Sequence, residues 1–232
     1  MSTAFFINNP SNKIEDSLTT NILQNSDAQV FHASLPNYEA TPLVQLPNLA
    51  QKYNVGNIYI KDESYRLGLN AFKGLGASYA ISEILKGNSG ITTICTATDG
   101  NHGRAVAWSA SLFGKKSVVF VPIGTTKQRI AAIEKEGAKV EIVDGDYDQT
   151  CAHAEKISKE NSWELVQDTA WDGYEKIPAQ IMAGYLTLFQ ELENSLHTAG
   201  QSKIDIVFLQ AGVGSFAAAG IRIVQTMPSD RL

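Results

Sequence analysis

The sequence predicts an α/β fold, a parallel sheet flanked by helices. Two observations carry this. Short runs rich in Val, Ile and Thr alternate with longer helix-like runs, the rhythm of parallel βαβ units. Three chemically loaded turns, at Asp99, Asp168 and Gly212, each fall just after such a run, where open parallel sheets place their ligands. Neither a solenoid repeat nor a low-complexity segment interrupts the alternation.

The elements follow in order. Residues 1–40 mix polar and aromatic side chains with weak periodicity and carry a breaker cluster at 8–12, so they read as an arm that packs on the rest. Residues 46–50 predict a short helix and 57–63 a strand ending in charge. Residues 74–85 place Leu75, Tyr79 and Ile84 among small residues, a helix that packs closely on a sheet. Residues 91–97 are a β-branched, buried strand. Residues 103–113 are an alanine-rich helix stopped by Gly114. The pattern then repeats: strand 117–122, helix 127–136, strand 138–143, helix 147–160, strand 163–166, helix 176–196 and strand 204–209. The last of these, made of Ile, Val, Phe and Leu, makes a poor sheet edge unless something covers it.

Composition removes several function classes. With 232 residues, 44% of them hydrophobic, the chain can bury a core. A formal charge of −5 without a Lys/Arg block argues against nucleic acid as a partner. The apolar runs are strand-sized, so no membrane span is predicted, and residues 1–7 lack the basic and apolar regions of a signal peptide. Cys95 and Cys151 belong to no C-x-x-C pair and read as free thiols in a reducing cytoplasm. Four scattered histidines give no metal site.

The chemistry concentrates in three segments. Lys73 sits in Asn-Ala-Phe-Lys-Gly, among apolar residues and glycines where an amine loses hydration and becomes available as nucleophile or base. Asp99-Gly100-Asn101-His102-Gly103 offers a carboxylate at a helix N-terminus and an amide donor; His102 reads as structural. Gly212-Val213-Gly214-Ser215 is a glycine loop whose N–H groups and hydroxyl suit a phosphate monoester. Alone it would also suit a dinucleotide, but it lies late in the chain and lacks a third glycine at the usual spacing. Asp168, before Thr169-Ala170-Trp171, reads by itself as a loop acid or helix cap. Amine, acidic turn and glycine loop together suggest a phosphorylated carbonyl cofactor held as an imine.

At these residues the chain resembles pyridoxal-phosphate enzymes of the tryptophan-synthase β-subunit fold (fold type II), and within them the diaminopropionate ammonia-lyase family. The resemblance rests on the run from Lys61 through Arg66 to Lys73, on Thr98-Asp99-Gly100-Asn101-His102-Gly103-Arg104, on Gln167-Asp168-Thr169-Ala170-Trp171 and on Gln210-Ala211-Gly212-Val213-Gly214-Ser215. Asp99 discriminates, since threonine and serine dehydratases of this fold carry Ser or Thr there. The resemblance implies pyridoxal phosphate as cofactor, Lys73 as its Schiff-base lysine and Asn101 as partner of the ring oxygen. Gly212, Val213, Gly214 and Ser215 are implied as the phosphate loop. It implies elimination of ammonia from 2,3-diaminopropionate, giving pyruvate and a second ammonia. Lys73 and Asp99 would serve as bases for opposite stereoisomers, and Asp168 would hold the distal amine.

It also implies a small domain at 61–170, a large domain from 1–60 plus 171–232, and a homodimer in cytoplasmic amino-acid catabolism. Family members continue through further βα units after the glycine loop, so the expectation is a C-terminally incomplete large domain. Such a chain would bind the cofactor weakly on its own. The alternatives are a serine or threonine dehydratase-like deaminase and a non-catalytic remnant.

Overall fold

The computed structural model describes residues 17–201 and 204–226, and side chains as far as 222. The breaker cluster at 8–12, residues 1–7 and the chain end at 228–232 lie outside the described residues.

A parallel sheet forms the centre, as the alternation predicts. Strands β3 (Thr93–Ala97), β4 (Lys116–Pro122), β5 (Lys139–Val143) and β6 (Glu164–Leu165) run in the order β5-β4-β3-β6. All three pairings are parallel, with Cys95 opposite Val118 on one side and Leu165 on the other. Before them come α1 (Ser17–Gln24), α2 (Ala28–Ala33), β1 (Leu43–Gln45), α3 (Pro47–Tyr53), β2 (Tyr59–Lys61) and α4 (Lys73–Gly87). Helices α5 (Asn101–Leu112), α6 (Lys127–Glu134) and α7 (Tyr147–Asn161) cross over between successive sheet strands. The long α8 (Lys176–Thr198) and α9 (Ser215–Thr226) follow. Every residue of β3 is buried, as its β-branched run requires of a central strand.

Two local devices fix this sequence in register. Pro47 sits at the first turn of α3, where its missing N–H costs nothing. Asp146 caps α7 and Gln149 bonds back to it, a complete capping box.

The main core lies between α4, α5, α8 and α9, and its centre is a close helix crossing. A Cβ on Gly184 of α8 would stand 2.5 Å from the Leu75 carbonyl oxygen and 2.8 Å from the Gly76 Cα. Only glycine lets the two main chains come this near. The arm packs on this core. His32 of α2, fully buried, donates from Nε2 to the Leu75 carbonyl at 3.0 Å and accepts at Nδ1 from Thr187 Oγ1 at 2.7 Å. Burial pushes this imidazole down to about 4.

A second anchor is ionic. Arg66, 1% exposed, bonds both carboxylate oxygens of Glu191 on α8 at 2.7 Å, Glu63 at 2.8 Å and the Glu39 carbonyl at 3.2 Å. Lys61 and Tyr38 reach the same Glu191 at 2.7 and 2.6 Å. Burial would raise the Glu191 carboxyl, but Arg66, Lys61 and Tyr38 outweigh it and hold it below the usual range.

Two expectations need correction. The strand read at 57–63 shortens to Tyr59–Lys61 and leaves the parallel sheet. It pairs antiparallel with β1 in a two-stranded ribbon. The strand read at 204–209 is absent among the described residues. Its composition is right, but a strand exists only through a ladder partner, and here it has none. Ile206 and Phe208 face solvent instead, at 71% and 91% exposure, while Leu209 packs on the core.

Candidate active site

Three predicted segments converge on Asp168. The site begins at Lys73, the first residue of α4, with a side chain 19% exposed. Its Nζ lies 2.5 Å from Asp168 Oδ2, an acid 95 positions away that follows β6. Ser215, opening α9, donates its hydroxyl to the Asp168 carbonyl at 2.5 Å. The neighbouring rings Phe72 and Phe216 pack with centroids 4.3 Å apart. The amine segment and the glycine loop are therefore joined through Asp168, by its carboxylate and its main-chain carbonyl, and through an aromatic pair.

The acidic turn reaches the same carboxylate through His102. Its Nδ1 is 3.6 Å from Asp168 Oδ2, and its Nε2 donates to the Val166 carbonyl at 2.9 Å. Burial drives the imidazole below its ordinary value, so the ring is neutral at pH 7 and Nδ1 presents a lone pair. For Asp168, burial raises the carboxyl, and His102 and Lys73 pull it down by more, leaving it below the usual range.

The head of α5 is capped by a residue the sequence reading passed over. Thr98 Oγ1 accepts from the N–H of Gly100 at 2.9 Å and of Gly103 at 3.1 Å. A threonine two residues before a glycine at a strand end is the signal that was available. Asp99 and Asn101 are exposed on this turn, and the Asp99 carbonyl accepts from Arg129 at 2.9 Å. His102, read as structural, stands beside Asp168.

The glycine loop is open. A Cβ built on Gly212 or Gly214 would meet nothing within 4 Å, and Gly214 has φ +97°, a conformation glycine adopts freely. Among the described residues, the N–H groups of Gly212, Val213, Gly214 and Ser215 meet no backbone carbonyl. The Ser215 hydroxyl has its proton on Asp168, so donation to an anion falls to these N–H groups.

Residues 35–229 match the family of pyridoxal-phosphate dependent enzymes. The chain belongs to this family. The cofactor fits the residues present: an accessible amine, free N–H groups on an open loop, and buried polar atoms that lack partners. His102 Nδ1 and Thr169 Oγ1, both next to Asp168, make no hydrogen bond, an arrangement folded proteins seldom leave without a ligand.

Diaminopropionate ammonia-lyase of Salmonella typhimurium is 44% identical over 210 residues, 82% of this chain and 52% of that protein. The crystal structure of diaminopropionate ammonia lyase from Escherichia coli in complex with an aminoacrylate-PLP azomethine reaction intermediate superposes with a TM-score of 0.81. It is 39% identical and the match covers 89% of this chain and 55% of that one. Threonine deaminase isoform 2 from Solanum lycopersicum shares the fold, with a TM-score of 0.77 at 20% identity over 98% of this chain and 61% of that one. The chain spans about half the length of the curated relatives it matches.

Proposed function

We propose that the protein carrying this chain is a pyridoxal-phosphate dependent lyase that eliminates ammonia from 2,3-diaminopropionate, releasing pyruvate and ammonia. The observation that carries the reading is the Lys73–Asp168 pair, a buried carboxylate already holding an alkylammonium at 2.5 Å. A diamine substrate needs such an anion for its second, cationic nitrogen. A hydroxy amino acid does not, and the acid at Asp99 in place of a hydroxyl speaks the same way.

Lys73 holds the cofactor, the N–H groups of Gly212 to Ser215 take its phosphate, and Asn101 donates to its ring oxygen. When bound, the cofactor withdraws electrons and acidifies the proton on the substrate's α-carbon. Lys73 and Asp99 accept that proton from opposite stereoisomers, help of a kind worth about 10²–10⁴ in rate. Once the Lys73 amine is committed to the cofactor, Asp168 is a buried anion without its cation and binds the substrate's distal ammonium. Burial keeps water from competing for it.

The reading includes a small domain at 61–170, a larger one from 1–60 and 171–232, and a homodimer working in cytoplasmic amino-acid catabolism. The four-stranded sheet lying wholly between Thr93 and Leu165 supports the division. The free thiols Cys95 and Cys151 suit a reducing compartment.

The test adds pyridoxal phosphate to the protein, records the visible spectrum, then supplies D- or L-diaminopropionate and assays pyruvate. Turnover of diaminopropionate above serine and threonine is expected, with Asp99→Asn losing one stereoisomer selectively. Preferred turnover of the hydroxy amino acids, or equal loss on both isomers, would overturn the substrate and the two-base assignments respectively.

A further inference from the structure

The segment leading into Lys73 is unusual in its backbone. Leu67 (φ 52°), Gly68 (φ 69°) and Asn70 (φ 57°) are all left-handed, two of them without glycine's freedom. Such a stretch does not hold its shape by local preference. One end is fixed by Arg66 in its carboxylate cage. The other end, next to the amine, is gripped from a different element. Arg104 of α5 donates from Nη1 to the Leu69 carbonyl at 2.8 Å and from Nη2 to the Gly68 carbonyl at 3.3 Å. Its Nε and Nη2 meet Glu136, beyond the end of α6, at 2.9 and 2.8 Å. Leu67 and Leu69 in turn press on the start of α4: a Cβ on Gly74 would lie 3.1 and 2.9 Å from their Cδ1 atoms.

Arg104 stands one helical turn after Asn101, on the helix whose head carries Asp99. It therefore ties the amine-bearing segment to the acid-bearing turn. Helix α6 braces both, with Arg129 on the Asp99 carbonyl and Glu136, just past its C-terminal end, on Arg104. We infer that Arg104, oriented by Glu136, is a positioning residue that sets the Lys73 amine against the Asp99–Asn101 turn. This rests on the reading of Lys73 as the cofactor's amine. The planar guanidinium is required, because it serves two carbonyls and a carboxylate at once, which an ammonium on a flexible stem does not do.

The experiment measures where pyridoxal phosphate attaches. Wild type, Arg104→Ala, Arg104→Lys and Glu136→Gln are treated with the cofactor and borohydride, and tagged lysines are quantified by peptide mass spectrometry. The tag on Lys73 is expressed relative to that on the exposed Lys139 and Lys156 of the same sample, so general loss of material cancels. Arg104→Ala is expected to lower the relative tag on Lys73 about tenfold or more, since a small misplacement of a reacting group costs on that order. Amide exchange at 67–73 should accelerate while that of β3 and β4 does not. Added guanidinium should restore part of the tag. Arg104→Lys should behave nearly as Ala, and Glu136→Gln should lose severalfold. A relative tag within twofold of wild type in a folded Arg104→Ala protein overturns the inference. If that variant does not fold, an unchanged tag in Glu136→Gln does so. A wild-type tag that avoids Lys73 overturns instead the functional reading beneath it.

Discussion

The wall carrying Lys73 and Asp168 and the wall carrying the glycine loop meet at one residue, Asp168, through its carboxylate on one side and its main-chain carbonyl on the other, yet they are secured in different ways. Lys73 begins a helix packed on α8, behind a segment gripped by Arg66 and Arg104, and Asp168 is 3% exposed. The loop 211–215 is held by the Ser215 bond to the Asp168 carbonyl and by Phe216 against Phe72 and Phe189. Just before it, Leu209 packs on the core while Ile206 and Phe208 lie open to solvent. The amine and the acid of the first wall are set in place by side chains of this chain. The open N–H groups of the loop rest on a single seam.

Removing the amine should give the largest effect. Lys73→Ala is expected to abolish capture of pyridoxal phosphate, with no visible band and no borohydride tag in the peptide containing position 73. A persisting band would place the covalent chemistry elsewhere. Next comes the ionic anchor behind it. Arg66→Ala leaves Glu191 buried without its main partner and should cost about 3–5 kcal/mol in urea unfolding. A loss below about 1 kcal/mol would show that the first wall does not depend on this cage.

A pH series sharpens the contrast further. His32 has its imidazole pushed down to about 4 in the folded state against 6.5 when free, so between those values the unfolded chain binds a proton that the native one refuses. Its contribution is present above pH 6.5 and is lost as the pH falls toward 4, by about 3 kcal/mol in all. His102, also held neutral by burial, acts in the same direction. Denaturant midpoints at several pH values, with His32→Gln as reference, check this: the variant should show the flatter dependence. The smallest effect belongs to the second wall. Phe208→Ser should change stability by no more than about 0.5 kcal/mol, because a side chain 91% exposed loses almost no contact. A larger loss would mean that this segment packs in solution.

Much of this was legible in the chain. β3 and β4 were readable because a buried parallel strand has to be a continuous β-branched run, and their predicted ends lie within two residues of those observed. The order amine, acidic turn, glycine loop was readable from residue types alone; of the three, only the acidic turn directly follows a strand, β3. Residues 204–209 failed for a physical reason: hydrophobicity shows that a strand can form, not that a partner stands beside it. The cage was invisible for another reason. Arg66 and Glu191 are 125 positions apart, and a charged residue carries no local mark of burial. The approach of His102 to Asp168 was invisible too, because only the folded sheet brings them to 3.6 Å.

The crossing of α4 and α8 at Gly76 and Gly184 sets a mechanical rule. At Gly184 the two main chains meet directly, and beside it the Tyr185 and Ile181 side chains of α8 press onto Gly76. A side chain at either glycine would have to wedge α4 away from α8, and Lys73, at the first residue of α4, would be displaced with it.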